Sequence, residues 1–309
     1  MANNRYINKV LLNDTTLLDL TGDTAVETDV AQGKTFHKAN GEQATGTASG
    51  GSQNGIIFLT QDEDGYPLTA ELNGVTEIFP YMFYNYAGNI GAWYKLTNLS
   101  LPPGINKIGT LAFQYCHSLV LNELPDSITS IETYAFNGCS SIELTKLPSG
   151  LTQIPAQTFR GCTRLALNSL PRGITSIGVY AFYGCFSLAL AEINLPSAIL
   201  YGYSFYGCES LGSKFKINVQ KIGTGSTSGT QRVFQNCTSL QKVWISSNTQ
   251  DIKASSSTYA PFNGCTALTD IYTDAESQPS GWGAYWNYTA SSTQATVHWG
   301  VSEAEFDAL

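Results

Sequence analysis

The sequence predicts a solenoid, in which one short structural unit is repeated and stacked along the chain. Five of the seven cysteines stand 23 residues apart, and the last two follow at spacings of 29 and 28. The seven positions are Cys116, Cys139, Cys162, Cys185, Cys208, Cys237 and Cys265. Each cysteine follows a phenylalanine by three residues and precedes a leucine or isoleucine by three. A fixed period above about 20 residues is typical of proteins whose repeats stack as successive coils.

The repeating unit reads L-P-x-x-I-x-x-I-x-x-x-x-F-x-x-C-x-x-L-x-L, and its apolar positions predict how one coil folds. The L-x-L segment is predicted to be a short strand with alternate residues inward, and the proline to end that strand. The I-x-x-I segment is predicted to turn the chain, and F-x-x-C to form a tight helical or 3₁₀ turn with both residues in the core. A degenerate first unit surrounds Phe83, with Tyr86 in place of cysteine. The prediction is therefore about eight coils over residues 56–274.

This unit resembles the leucine-rich repeats of the BspA type, whose hallmark is I-x-x-I-x-x-x-A-F-x-x-C-x-x-L. Ala112, Ala135 and Ala181 match the alanine of the hallmark, whereas Thr158 and Ser204 depart from it. The resemblance implies a leucine-rich-repeat solenoid. It implies little about function, because this repeat serves many surface and binding proteins.

The cysteines are predicted to be buried free thiols. Stacked coils would place their Cβ atoms near the strand spacing of about 4.8 Å, which exceeds the 3.5–4.5 Å of a disulfide. Their number is odd, no C-x-x-C occurs, and the three histidines, His37, His117 and His298, are scattered. The sequence therefore predicts neither a metal site nor a cofactor.

Residues 1–47 lack the repeat and predict a small α+β module. Strands are expected around Val10 and around Leu18, a short helix over Thr24 to Val30, and a hairpin at Asn40–Gly41. A module of this size buries little core alone, so it needs a partner or an oligomeric assembly.

The motifs of this module resemble an N-terminal module of phage tail and head-fibre proteins. They are I-N-K-V at Ile7 to Val10, D-L-T-x-D-T within Leu18 to Thr24, and G-K-T-x-H…T-G-T over Gly33 to Thr47. The resemblance implies attachment to capsid or tail proteins of a virion and assembly as an oligomer, often a trimer. Candidate anchoring residues are Ile7, Val10, Leu18, Leu20 and Phe36. The alternative is a generic N-terminal cap.

Two further segments complete the predicted organisation. Residues 48–55 form a flexible linker of the glycine and serine type. Residues 275–309 are predicted to be an aromatic cap that contains Trp282, Trp286 and Trp299, because the end of a solenoid must be covered. A final strand is expected within Ala295 to Gly300, followed by a tail that is either a short helix or frayed. An aromatic ligand platform is the alternative to a cap.

Composition excludes several classes of protein. Lys and Arg number 16 against 24 Asp and Glu, for a net charge of -8, whereas a nucleic-acid binder needs clustered positive charge. The sequence contains no apolar run of about 18 residues, so it predicts no membrane span. The opening residues predict no signal peptide, because Asn13 and Asp14 interrupt its apolar stretch.

No catalytic motif stands out, and the sequence predicts a protein that is not an enzyme. G-x-S-x-G is missing, and the acidic cluster from Asp62 to Gly65 reads as a hairpin turn rather than a calcium loop. A glycosidase-type pair of carboxylates is the catalytic alternative that the sequence leaves open.

Tyrosines recur at two positions of the unit, two residues before the phenylalanine and one residue after it. Stacking is expected to bring Tyr180, Tyr183, Tyr203 and Tyr206 together, with Tyr134 on the same stripe. Such a surface suits contact with a sugar or a protein, although these rings would equally serve as packing along one solenoid edge.

Together these features predict a structural protein on the surface of a phage virion, a head or tail fibre. Its repeat arm would project and bind a host cell-surface protein or glycan. The alternative is a secreted or cell-surface bacterial adhesin with the same repeats.

Overall fold

The repeated apolar positions form a stack of about eight coils with very little helix, as a computed structural model of the protein shows. The structure describes residues 9–12, 15–19, 35–37, 43–45, 55–85, 93–224 and 231–309. Helical structure there consists of a 3₁₀ turn at Ser257–Tyr259 and one α-helix near the end of the chain. The predicted fold class of the repeat arm is confirmed.

The N-terminal residues contribute two antiparallel hairpins. Strand β1 (Lys9–Leu12) pairs with β2 (Thr15–Asp19), and β3 (Thr35–His37) pairs with β4 (Gln43–Thr45). These strands agree with the predicted strand positions and with the predicted hairpin.

The remaining predictions for this region lie beyond what the structure describes. The predicted helix over 24–30, Ile7 and Leu20 fall outside the described residues, as does Tyr86 of the first coil. Only the backbone is described for Val10, Leu18 and Phe36. The α+β module and its anchoring role therefore stay predictions.

The solenoid opens with a hairpin of β5 (Gly55–Gln61) and β6 (Pro67–Asn73). The turn between them is the predicted one, since the amide of Gly65 donates to the carbonyl of Asp62 at 3.0 Å. The Asp62 carboxylate accepts the amides of Asp64 and Tyr66 and pairs with Lys95. Two short strands follow, β7 (Glu77–Ile78) and β8 (Asn98–Ser100), and β8 lies parallel to β6.

Strands of the regular coils lie elsewhere in the unit than predicted. Alternate residues of L-x-L do point inward, but that segment is not a strand. The strands are two residues long and end at the second isoleucine of the unit: β9 (Lys107–Ile108), β10 (Ser130–Ile131), β11 (Gln153–Ile154) and β12 (Ser176–Ile177).

The proline explains this difference. The amide of Ile128 donates to the carbonyl of Pro125 at 3.1 Å, and the same turn recurs at Pro148 and Pro171. Each turn interrupts the backbone pairing directly after L-x-L, because proline fixes its own φ and has no N–H to donate. The strand pairing of successive coils lies beyond the turn, at the second isoleucine, and single backbone hydrogen bonds join the coils elsewhere.

Beyond residue 191 most strands become longer, and together with β11 and β12 they form a parallel sheet in the order β11–β12–β13–β14–β15–β17–β18. The new strands are β13 (Glu192–Tyr201), β14 (Lys214–Thr224), β15 (Lys242–Ile245), β16 (Asp251–Ile252), β17 (Asp270–Thr273) and β18 (Thr296–His298). Strand β16 also pairs with β14. Pro196 lies inside β13, where the register shifts between Leu195 and Ile199, so proline does not end this strand.

The last residues pack against the end of the core. Trp282 and Trp286 are buried, and the indole N–H of Trp282 donates to the carbonyl of Thr249 at 2.7 Å. Strand β18 and helix α1 (Glu303–Ala308) match the predicted final strand and helical tail. A capping box at Ser302 begins α1, and the buried Phe306 packs in a small cluster with Trp244 and Tyr272. Within the described ranges, no helix is long and apolar enough to cross a membrane.

A ladder of phenylalanine rings forms the centre of the stack. Successive rings lie 5.1 to 5.5 Å apart between centroids and are nearly parallel, with interplanar angles of 4 to 22°. Its members are Phe83, Phe113, Phe136, Phe159, Phe182, Phe205, Phe234 and Phe262, all fully buried. Offset stacking of this kind adds to the burial of apolar area, so one large side chain per coil fixes the register.

The cysteines form a second ladder beside the first. All seven are free and buried, as predicted. Each thiol donates to the phenylalanine carbonyl of the preceding coil, with Sγ–O distances of 2.9 to 3.2 Å. The carbonyl of Phe136, for example, accepts both the Cys162 thiol and the Cys139 amide. Burial raises the pKa of the Cys162 thiol and keeps it protonated, as this donation requires.

Candidate functional site

Four of the five predicted surface tyrosines come together on one edge of the solenoid. Tyr180 stacks on Tyr203 with ring centroids 4.8 Å apart, and Tyr183 stacks on Tyr206 at 4.5 Å. The two tyrosines of a coil lie 5.7 to 5.9 Å apart. We call these four residues the tyrosine quartet. All four are half-buried.

The backbone of the repeated turn directs the first tyrosine of each pair. Tyr180 and Tyr203 both have a φ of 59°, in the left-handed region that is uncommon for residues other than glycine. Leu111 and Gln157 adopt the same conformation at the equivalent position of their coils. The strain therefore belongs to the repeated turn and is not specific to the quartet.

Tyr134 lies apart from the quartet. The intervening coil carries Gln157 at the equivalent position, and its side-chain amide lies 2.6 Å from the Tyr134 hydroxyl. The stripe is thus interrupted at Gln157 and becomes continuous only from Tyr180 onward.

Two arginines flank the quartet, and the sequence analysis missed both. The guanidinium of Arg160 lies 5.3 Å from the Tyr183 ring centroid, and that of Arg232 lies 5.8 Å from the Tyr203 ring centroid. Arg232 also donates to the Tyr203 hydroxyl at 3.2 Å. Arg160 stands one residue after Phe159, and Arg232 two residues before Phe234, so both occupy tyrosine positions of the unit. Alignment of the repeats by their phenylalanines would have found them.

Together these side chains line a depression of about 480 Å³, which we call the tyrosine–arginine cleft. Its lining consists of Gln157, Arg160, Tyr180, Tyr183, Tyr203, Tyr206 and Arg232. The size falls within the range of small-ligand sites. Burial raises the pKa of Tyr180 and Tyr206, so their hydroxyls remain protonated at neutral pH. The cleft therefore offers ring edges, hydroxyls and two cations.

A second depression, of about 580 Å³, lies on the L-x-L side of the first coils. It holds the carboxylates of Glu123 and Asp126, together with Lys146, which lies 3.9 Å from Asp126. Both carboxylates are exposed, whereas the acid of a glycosidase works in a sheltered site that raises its pKa. This groove lacks the aromatic rings of the cleft and gives less support to a binding or catalytic role.

Among the described residues, other reactive side chains do not assemble into a further site. His298 Nε2 lies 2.7 Å from Asp270 Oδ1 at the edge of the sheet, stacked on Tyr272. Within residues 55–85, 93–224 and 231–309, no three side chains of the metal-binding types gather at one point.

Comparison with solved structures returns other leucine-rich-repeat proteins. One from Bacteroides ovatus is 16% identical, with 79% of this chain and 75% of that chain covered and a TM-score of 0.40. A cell surface protein from Faecalibacterium prausnitzii is 22% identical, with coverage of 76% and 79% and a TM-score of 0.33. A protein from T. pallidum is 22% identical, with coverage of 69% and 82% and a TM-score of 0.34.

Comparison with protein families identifies the repeat itself. No curated protein matches the chain, and nothing in these comparisons bears on a virion role. A model described as the BspA type leucine rich repeat region matches six copies, over residues 76–212 and 213–289. This match covers more than half of the chain, and the protein therefore belongs to the BspA-type leucine-rich-repeat family.

Proposed function

We propose that this protein is a non-enzymatic binding protein, a secreted or cell-surface bacterial adhesin that holds a glycan or protein of another surface. One observation carries the proposal. Four stacked tyrosines lie between two arginines in a depression large enough for a small ligand or the end of a larger one.

The chemistry of the cleft favours recognition over reaction. Tyrosine offers a large rigid contact surface with only two side-chain torsions to immobilise, and arginine adds directional donors. Stacking already holds the rings of the quartet in place, so little side-chain freedom remains to be lost when a ligand binds.

A direct test compares the quartet with the same two repeat positions in the first coil. The variant Tyr203→Ala/Tyr206→Ala removes one half of the quartet. The control Tyr81→Ala/Tyr84→Ala removes a tyrosine pair whose rings lie 5.6 Å apart and which does not line the cleft. Fluorescently labelled protein is applied to intact bacterial and epithelial cells, and bound protein is measured by flow cytometry.

We expect the quartet variant to lose about tenfold in cell binding and the control to lose little, since aromatic anchors dominate binding energy. Circular dichroism and thermal melting check that both variants fold. Equal binding of the two variants, or no binding of the unmodified protein to any cell type, would contradict the proposal.

A second proposal rests on the N-terminal motifs at Ile7 to Val10 and Gly33 to Thr47. In that case residues 1–47 attach an oligomeric fibre to a capsid or tail protein, and the same cleft contacts the host from the virion surface. Mass spectrometry of purified phage particles and of the surface fraction of the encoding cells separates the two proposals. The protein would be found in the particles in one case and in the cell fraction in the other.

A further inference from the structure

The charge of the tyrosine–arginine cleft is opposite to that of the chain. The whole sequence carries a net charge of -8, yet the described lining of the cleft holds two arginines and no carboxylate. Several other basic side chains are paired with acids, such as Arg164 with Glu143 and Lys107 with Glu132. In the described part of the chain, neither Arg160 nor Arg232 forms an ion pair with an acid.

Both arginines line the cleft, and each has more N–H groups than its described hydrogen bonds use. Arg160 gives one N–H to the Gln157 side chain at 3.2 Å. Arg232 gives its Nε–H to the Thr258 carbonyl at 2.9 Å and one further N–H to the Tyr203 hydroxyl. Since a guanidinium has five N–H donors, each arginine keeps enough of them for a forked contact with an anion.

Both arginines act on the same part of the cleft. They belong to coils on opposite sides of the quartet, and both lower the pKa of Tyr180, against the larger effect of burial that raises it. A negatively charged group placed over the quartet would therefore be attracted from both ends.

The remaining lining indicates what carries that group. It consists of aromatic rings, hydroxyls and one amide, and it contains no aliphatic side chain among the described residues. A peptide is usually anchored by an apolar side chain in a desolvated pocket, which this cleft lacks. A sugar ring instead matches a surface of rings and evenly distributed hydrogen-bonding groups.

We propose that the tyrosine–arginine cleft binds an acidic oligosaccharide, with the sugar rings along the quartet and separate carboxylate or sulfate groups at Arg160 and at Arg232. This inference rests on the proposed binding function and adds the chemical class of the ligand. Carboxylate and sulfate share the chemistry that a guanidinium fork recognises.

The test uses the full chain and three trisaccharides of equal length, measured by isothermal titration calorimetry. The first is tri-galacturonic acid, the second its carboxyl-reduced neutral form, and the third a sulfated form of that neutral sugar. At least one acidic sugar should bind about tenfold or more tighter than the neutral one, and the better of the two identifies the anionic group.

The variants Arg160→Gln and Arg232→Gln should each remove most of this preference and weaken binding of the neutral sugar much less than binding of the acidic one. Arg172→Gln is the matched control, because Arg172 is exposed and does not line the cleft. Weaker binding of the acidic sugar by Tyr203→Ala/Tyr206→Ala would show that the sugar occupies the cleft and is not held only by a general attraction between opposite charges.

Several results would overturn the inference. They are equal binding of neutral and acidic sugars, an equal effect of Arg172→Gln, or equally tight binding of a poly-glutamate peptide. Loss of cell binding in the quartet variant without any preference for acidic sugars would refute the inference and leave the proposed function standing. If the quartet variant also bound cells normally, both would fail.

Discussion

The two halves of the solenoid are stabilised by different parts of the same repeat. Between residues 105 and 190, the coils pair through strands of only two residues. From residue 192 onward, strands of up to 11 residues form a continuous parallel sheet. The phenylalanine and cysteine ladders run unchanged through both halves.

This difference shows which part of the repeat stays constant from coil to coil. The turn that carries phenylalanine and cysteine keeps its geometry when the period changes from 23 to 29 and 28 residues. The added residues lie between the strand at the second isoleucine and the phenylalanine: Leu200 precedes Phe205 by 5 residues, whereas Ile222 precedes Phe234 by 12 and Ile252 precedes Phe262 by 10. The regular half should therefore depend on its side-chain ladders, and the sheet half on backbone pairing as well.

The largest effect is expected from removing one ring of the ladder in each half. Phe159→Ala and Phe234→Ala should each reduce the free energy of unfolding by about 3–5 kcal/mol, because both delete a fully buried aromatic side chain. Denaturant unfolding measures this loss. Val120→Ala, at an exposed position, serves as the control and should stay within about 0.5 kcal/mol.

Hydrogen exchange then separates the two halves. In Phe159→Ala, protection should be lost in the coils on both sides, because the strands that pair them are only two residues long. In Phe234→Ala, the pairing of β14 with β15 should retain protection. If the exchange pattern spread equally in both variants, the proposed difference between the halves would be wrong.

A pair of glycines in one regular coil tests how closely the backbones approach. A Cβ on Gly178 would lie 2.5 Å from the Ala156 nitrogen and 2.7 Å from the Pro155 carbonyl carbon. Gly178→Ala should therefore destabilise the fold by about 1–3 kcal/mol, since backbone atoms must move.

Gly184→Ala is the matched substitution for that variant. No atom lies within 4 Å of its added Cβ, so only the left-handed φ of 69° opposes the change, by about 1 kcal/mol. Melting temperatures of the two variants, measured side by side, give the comparison. An equal loss of melting temperature at both positions would show that the close approach of the two backbones does not require glycine at position 178.

A smaller effect is expected from the thiol ladder, and it should be equal in both halves. Cys162→Ala and Cys265→Ala each remove one S–H donor, but the acceptor carbonyl retains the amide of its own turn. We expect a loss of about 0.5–1.5 kcal/mol in each, and partial recovery in Cys162→Ser, which keeps a donor. Chemical denaturation measures all three, and a loss confined to one half would contradict the ladder as a common element.

The smallest effect concerns acid stability, for which one carboxylate in each half is compared. The Lys107 ammonium, 2.7 Å away, lowers the pKa of Glu132, and the bond to His298 lowers the pKa of Asp270. Each carboxylate stabilises the fold above its ordinary pKa, and that stabilisation disappears as the pH falls through the lower, folded-state value. Each contributes less than about 1 kcal/mol, because both are partly exposed.

Thermal melting between about pH 5 and pH 2 tests this effect. In Glu132→Gln and Asp270→Asn, the melting temperature should fall less steeply with decreasing pH than in the unmodified protein. At about pH 5 the pH dependence of the melting temperature should be nearly the same in all three proteins. An unchanged acid limb in both variants would assign the acid sensitivity to other groups.

The inward-facing residues could be predicted from the sequence because each is fixed by its position in the unit. Phe136 and Cys139 recur with the period and therefore share one environment in every coil. The positions of the strands could not be predicted this way. Both L-x-L and I-x-x-I carry inward apolar residues, so periodicity alone does not separate them. Where the strands pair depends on the position of the turn that the Ile128 amide closes on the Pro125 carbonyl, and periodicity does not reveal that position.

The candidate site shows the same limit. The quartet could be predicted because Tyr180 and Tyr203 occupy one repeated position. Arg160 and Arg232 break the repeat, and their importance depends on which coils lie next to the quartet. A repeat unit describes what all coils share, whereas a binding site arises from differences between neighbouring coils.

The thiol ladder has a consequence for how such a chain can change in length. In each coil the phenylalanine carbonyl accepts a hydrogen bond from the thiol of the next coil, and the cysteine thiol donates an equivalent bond to the coil before. Consecutive coils are therefore joined by the same contact every time. Duplication of a segment such as 140–162 adds one rung without requiring a new kind of contact. Unequal recombination can thus alter the reach of the arm in whole steps. The cleft spans four successive coils from Phe159 to Phe234, so only an event within that stretch creates or abolishes the specificity.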